Sequence, residues 1–261
     1  MKLTLKLPML LWMAAMLLIA SPVRSEMAAS LMRPEKPTVA IIIDDLGYRH
    51  LEGRRALALP GAVTLSILPH TPFGREFAEG AHAKGMEVML HLPLQPEDGG
   101  EDPGPGGLWL ESGPREVSGL LAESLASVPY AVGVNNHMGS MLTRHPGHMT
   151  WLMEELGRRK LFFVDSFTTP LSVALQMAHE TGVPAVRRNV FLDADPDEVA
   201  VGTEFDRLLA LAREQGYALA IGHPYPSTMK VLEQRLPELE RNGVRLVPAS
   251  QLVERAHRTG R

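Results

Sequence analysis

The chain has 261 residues, 45% of them hydrophobic, with 26 Lys and Arg against 30 Asp and Glu. That size suits one α/β barrel as well as two smaller domains, and the net charge of −4 argues against a polyanion-binding surface such as nucleic acid. There is no cysteine, so disulfides and a thiolate nucleophile are excluded, and any metal must be held by His and carboxylate groups.

Lys2 and Lys6 precede an apolar run from Met9 to Ala20, and small residues follow near Ser21 and Ser25. A basic start, a short apolar stretch and a small-residue exit describe a secretory signal peptide over residues 1–25. The run is shorter than the roughly 20 residues that span a bilayer, although an uncleaved N-terminal anchor is the competing reading. Residues 26–36 read as a linker and 37–261 as a single domain. A periplasmic or secreted location follows, with no stable membrane insertion after cleavage.

From Val39 the pattern is strand then helix, repeated. Short β-branched runs occur at Val39–Ile43, Val63–Ile67, Val88–Leu92, Ala131–Val134, Phe162–Val164, Val190–Leu192, Ala218–Ile221 and Val244–Val247. Most are continuous rather than alternating, as parallel strands buried on both faces are. Helix-period segments lie between them, about Leu51–Leu59, Thr71–Lys84, Pro114–Ser127, His148–Arg159, Ser172–Thr181, Asp197–Gln215 and Ser227–Asn242. Several end at Gly, as at Gly85, Gly182, Gly216 and Gly243. The acidic, Gly- and Pro-rich stretch Glu97–Gly107 is a long loop. Seven or eight such units predict an irregular (β/α) barrel, with a doubly wound open sheet as the alternative.

Active sites of β/α barrels sit at the C-terminal ends of the strands. Those ends carry Asp44-Asp45, His70, His91, Asn135-Asn136-His137, Asp165-Ser166, Asp193 and His223, whereas the strand starts offer far fewer such groups. Asp and His suit zinc or a similar divalent ion, and a metal-bound water needs a base and an acid. Adjacent residues on a strand face opposite sides, so Asp44 and Asp45 share a site only if the backbone turns near Leu46-Gly47. One would then bind metal and the other act as base, unless either simply caps the next helix. Backbone around Asn136–Ser140 is an anion-stabilising candidate, and no Gly-x-Ser-x-Gly elbow supports a serine nucleophile. Asp165 and Ser166 are candidates to orient a catalytic His, and Asp193 could equally cap a turn. His70 is placed to touch substrate. Trp109 could stack on a sugar or anchor the long loop. Arg187 and Arg188 read as salt-bridge partners of Asp193 or Asp165. His50, His82, His145, His148, His179 and His257 read as surface residues.

The segments Ile41-Ile-Ile-Asp-Asp-Leu-Gly47, His91-Leu-Pro-Leu-Gln-Pro96, Gly133-Val-Asn-Asn-His-Met-Gly-Ser140, Phe163-Val-Asp-Ser166, Val190-Phe-Leu-Asp193 and Ile221-Gly-His-Pro224 together resemble the divergent polysaccharide deacetylase family. That family is related to the NodB-type carbohydrate esterases, distorted (β/α) barrels that remove acetyl groups with a divalent metal. The resemblance implies Asp44 as base, Asp45 as metal-binding Asp and His223 as general acid. The esterases' His-x-x-x-His pair has no counterpart after Val88–Leu92. The metal is therefore expected on Asp45 and His137, with His91 or His223 completing the set. Gln95 becomes a substrate hydrogen-bonding candidate, as do Asn135, Asn136 and Ser140. The resemblance implies a metal-dependent hydrolase acting on amide or acetyl ester bonds, most simply deacetylating an envelope or exported polysaccharide. A non-catalytic carbohydrate-binding or envelope-assembly protein on the same fold is the alternative.

Overall fold

The computed structural model describes residues 36–97 and 101–259, so the expected signal peptide and nearly all of the linker lie outside the described residues. The elements in chain order are β1 (Thr38–Leu46), α1 (His50–Ala56), β2 (Thr64–Ile67), α2 (Gly74–Ala83), β3 (Glu87–Leu94), α3 (Pro114–Ser127), β4 (Ala131–Met138), α4 (Pro146–Arg159), β5 (Phe162–Asp165) and α5 (Ala174–Thr181). Then come β6 (Ala185–Arg187), β7 (Val190–Phe191), α6 (Glu198–Gln215), β8 (Tyr217–Gly222), α7 (Pro226–Arg235), β9 (Arg245–Leu246) and α8 (Ala249–Thr259).

All strand pairs are parallel, in the order β6-β5-β4-β3-β2-β1-β8-β7, with β9 added beside the start of β1. The edge strands β6 and β7 are not hydrogen-bonded to each other, yet only Arg188 and Asn189 separate them in the chain. A two-residue link spans at most about 10 Å, so the sheet has to curl until its edges are neighbours. The result is a curled, incompletely closed barrel, irregular as the sequence predicts. Asn189 fastens the seam to β8: its N–H donates to the Leu219 carbonyl (2.9 Å) and its Oδ1 accepts from the Leu219 N–H (2.8 Å).

The pleat sorts each strand's residues between two cores. Val39, Ile41 and Ile43, with Leu65, Ile67, Leu90 and Leu92, face outward and pack against helix residues such as Phe77, Leu121, Leu152 and Phe205. Ala40, Ile42, Met89, Phe162, Val164, Leu219 and Ile221 fill the barrel interior, together with Ala249, Leu252 and Val253 of α8. That helix covers the end where strands begin: the Ala249 N–H donates to Thr64 Oγ1 and the Ser250 N–H to Glu87 Oε1. Two orphan donors of the helix start are met in this way, and the Glu87 carboxylate suits its positive end. The interior is therefore filled below by α8 and open above, where the strands' C-terminal ends line a cavity.

Neither β6 nor α8 is among the segments bounded from sequence, and the expected helix Ser227–Asn242 stops at Arg235, followed by a 3₁₀ turn at Leu236–Glu238. Gly133 of β4 lies against the Phe162 ring, where a Cβ would come within 2.4–2.6 Å of ring carbons. Gly133→Ala is therefore expected to destabilise the fold by about 1–3 kcal/mol through overpacking, read as a lowered denaturant midpoint. An unchanged midpoint would mean that the interior at this level is loosely packed.

Candidate metal centre and active site

The same pleat aims one set of polar residues into the open end. On β1 the inward series Ala40, Ile42 continues to Asp44, and on β3 Met89 leads to His91. On β4, Gly133, Asn135 and His137 share the inner face, and on β8 Leu219 and Ile221 do, with His223 following directly after the strand. Asp45 would point outward, but its backbone is left-handed (φ 58) and the β1–β2 register shifts between Ile43 and Leu46. This local kink turns Asp45 inward beside Asp44. The turn thus falls on Asp45 itself, one residue earlier than expected, and for a non-Gly residue it stores strain at the site.

Asp45, His91 and His137 present one ligand atom each to a common point. Asp45 Oδ1 lies 3.2 Å from His91 Nε2 and 3.0 Å from His137 Nδ1, and the two imidazole nitrogens are 3.1 Å apart. Asp45 Oδ1 is buried and makes no well-aligned hydrogen bond despite these short distances. Its neighbours point past it, as ligands around a shared centre do. Tetrahedral ligands at about 2.0–2.1 Å from a zinc-like ion would be about 3.3 Å apart, so the triangle fits such an ion after a small outward relaxation.

A buried amide decides which lone pairs face this point. Asn135 Nδ2 donates to both oxygens of Asp44 (2.9 and 3.0 Å), so Asn135 Oδ1 must turn the other way, where it accepts from Ser66 Oγ (2.6 Å) and His91 Nδ1 (2.9 Å). With its proton on Nδ1, neutral His91 offers the Nε2 lone pair to the centre, as a metal-binding His with a fixed outer hydrogen bond does. The electrostatics agree. Burial opposes charge on Asp45, but the adjacent His137 and His91 hold its carboxyl far below the usual carboxylate range. Burial likewise pushes His91 down, and the charges of Asp44 and Asp45 more than offset it, leaving His91 raised. With no metal, a proton is drawn to the place a cation would take.

Across the cavity stands His223. Its Nε2 is 3.7 Å from Asp45 Oδ2, and its Nδ1 bonds to Asp193 Oδ1 (2.9 Å). Asp193 Oδ2 accepts from the His223 N–H and Thr228 Oγ1 (2.6 and 2.7 Å). Burial alone would lower the His223 pKa, but the Asp193 bond and the nearby Asp45 and Asp44 charges push it up to about 9.

The structure therefore brings Asp44, Asp45, His91, Asn136, His137 and His223 around one cavity of about 430 Å³. Several expectations need correcting. Asp165 shares the outward face of β5 with Phe163, so it turns away from the cavity. It accepts from the Phe167 N–H and Ser172 Oγ (both 2.9 Å) and pairs with Arg187 (3.4 Å); Asp193 is the residue that orients a histidine. Asn135 is fully buried and all of its amide is engaged within the protein, so it braces Asp44 and His91 rather than meeting substrate. Asn136 lines the cavity but fastens local backbone, donating to the Met138 carbonyl (2.8 Å) and accepting from the Ser166 N–H (2.9 Å). Gln95 ties the long loop in place: its Oε1 accepts from the Leu110 N–H and its N–H donates to the Leu108 carbonyl. Ser140 Oγ accepts from the Glu97 N–H at the loop's neck. His70 is exposed and abuts Gly106, outside the cavity wall. Buried Leu108 anchors the loop, with Trp109 half-buried next to it. His148 is no free surface residue, since its Nε2 meets the Leu110 carbonyl (3.0 Å).

Ser66 beneath Asn135 escaped the sequence reading altogether, and the roles of two residues it had named were missed: Asp193 as the clamp on His223, and Arg188 at the seam. Arg188 makes no salt bridge to Asp193 or Asp165; it donates from Nε to the Ser166 carbonyl (2.7 Å) and from Nη2 to the Phe167 carbonyl (3.1 Å).

Fold and site together define a polysaccharide-deacetylase-like barrel with a candidate His/Asp metal site at its open end. A family model described as divergent polysaccharide deacetylase matches residues 41–253, and the chain belongs to that family. It is 39% identical over 241 residues to the uncharacterised protein YibQ of Escherichia coli K12, covering 92% of this chain and 71% of YibQ. Among solved structures, ATU2773 of Agrobacterium tumefaciens C58 has a TM-score of 0.81 at 24% identity over 84% of this chain and 89% of that one. BA3943 of Bacillus anthracis, a CE4-family pseudoenzyme, has a TM-score of 0.52 at 13% identity, over 85% of this chain and 66% of that one. A mutant of BA3943 with restored enzymatic activity has a TM-score of 0.52 at 14% identity, over 85% and 69%. At these identities the structural likenesses are of fold.

Proposed function

We propose that the protein is an exported, zinc-dependent hydrolase that removes acetyl groups from an envelope or exported polysaccharide. The observation that carries this reading is the convergence of Asp45, His91 and His137 on one point, with a spare carboxylate, Asp44, on one side and a clamped His223 on the other. A structural ion would need neither of those two groups. Asp45, His91 and His137 would hold the ion, which when bound supplies Lewis acidity towards a carbonyl and towards water. Asp44 takes the proton of the attacking water, held in aim by the two hydrogen bonds from Asn135. His223, protonated and steadied by Asp193, gives a proton to the departing amine nitrogen or alcohol oxygen. The cavity lies at the open end of the barrel, which suits a polymer laid across the mouth. The basic, then apolar, start of the chain supports export, and among the described residues no helix is long and apolar enough to cross a membrane.

Metal content of the purified protein tests the reading, for wild type beside Asp45→Ala and His137→Ala. About one zinc per chain in wild type, lost in both variants, is expected, followed by acetate release from an acetylated glycan. No metal in wild type after incubation with zinc would leave a non-catalytic carbohydrate-binding protein as the better account.

A further inference from the structure

The cavity at the metal triad has a neighbour. A second cavity of about 580 Å³ runs beside the start of α6, between Asp195, Ala200, Thr203 and Arg207. The two cavities share Phe167, Arg188 and Phe191 as a common wall. One guanidinium therefore stands where they meet.

Arg188 is held there firmly. Its Nε and Nη2 donate to the Ser166 and Phe167 carbonyls, and its Cζ sits 4.5 Å above the Phe191 ring. Its place is fixed by the seam, because Arg188 is one of the two residues that carry the chain from β6 to β7. Both carbonyl partners are neutral. Among the described residues no carboxylate pairs with Arg188, and its Nη1 has no hydrogen-bond partner; its neighbour Arg187 pairs with Asp165, and Arg207 at the far end pairs with Glu204. A half-buried guanidinium with an open end is matched by a planar two-oxygen anion. The charges of Asp44, Asp165 and Asp193 already act on Arg188, and Asp45 and Asp195 line the two cavities, so a singly charged carboxylate fits better than a phosphate dianion.

Building on the carbohydrate reading above, we propose that the second cavity receives the sugar next to the one acted on, and that Arg188 pairs with a carboxylate on that stretch of the polymer. The substrate class is then an acidic, carboxylated glycan rather than a neutral one.

Titration calorimetry on the full chain, with acetylated oligosaccharides of equal length, tests this by binding and not by turnover. One set is neutral and the other carries a carboxylate on alternate units. Wild type is expected to bind the carboxylated set about tenfold more tightly, the scale of one charged hydrogen-bonded contact. Arg188→Gln is expected to erase that preference and Arg188→Lys to restore part of it. Ala200→Trp fills the second cavity without touching the bonds of Arg188, and is expected to weaken long oligosaccharides at least tenfold while a disaccharide binds as before. Equal affinity for the two sets in wild type, or a preference that survives Arg188→Gln, overturns the inference and leaves the carbohydrate reading standing. Binding of neither set overturns both.

Discussion

Asp44→Asn is expected to slow hydrolysis of an acetylated glycan by about 10²–10⁴-fold, the usual worth of a general base, while zinc content stays at the wild-type level. Asp44 lies beside the metal triangle but is not one of its corners: its Oδ2 is 3.6 Å from His91 Nε2, and both oxygens are occupied by the Asn135 amide. An Asn side chain keeps that shape and can still accept from Asn135 through its own oxygen. What it loses is the capacity to take a proton. Turnover that survives the substitution would remove Asp44 from the mechanism. Loss of zinc together with activity would make it a ligand instead, and the base would have to be sought elsewhere. Binding of intact glycan should persist in either case, which separates this variant from one that merely fails to fold.

Much of the fold was legible because parallel strands buried on both faces leave continuous apolar runs, and seven of the eight predicted runs overlap strands of the main sheet. The eighth, Val244–Val247, overlaps β9, which only extends the sheet beside β1. β6 was missed because three residues, Ala185–Arg187, give too short a run and end in a charge. The closing helix α8 does carry a readable signal, with Ala249, Leu252, Val253 and Ala256 at helical spacing. Taking the final apolar run as the last strand concealed it. An irregular barrel is predicted, but the place of its seam could not be read, since it is made by two residues whose role appears only once β6 and β7 are known to be the sheet edges.

The site divides the same way. Strand-end position alone finds Asp44, Asp45, His91, His137 and His223, because the pleat and the barrel's open end act on every strand alike. It cannot separate inward from outward neighbours at the last residue. Asp165 and Asn135 both end apolar runs, yet one faces the helices and the other the interior, and both are consumed by internal hydrogen bonds. The partnership of Asp193 with His223 depends on β7 lying beside β8 over only two residue pairs, Val190 with Ala220 and Phe191 with Ile221. A sequence offers no sign of so short a contact.

That partnership sets the pH range over which the proposed acid works. His223 has a pKa raised from 6.5 to about 9, and after the opposing effect of burial the largest influence is the Asp193 hydrogen bond. A raised histidine pKa favours the protonated form, so the acid is present throughout neutral pH and is lost as pH rises through about 9. The same shift stabilises the fold fully below the unfolded value of about 6.5, and that contribution fades as pH climbs through the folded one. Asp193→Asn keeps an oxygen for Thr228 Oγ1 and the His223 N–H but removes the charge. Its alkaline limb of activity is therefore expected to move to lower pH by a unit or more, about 1.4 kcal/mol per unit, with the acid limb unmoved. Both proteins are compared in the same metal state, so the ion's own charge cancels. A limb that stays in place would mean that His223 is not the proton donor, whereas a uniform loss at every pH would mean that Asp193 only supports the fold.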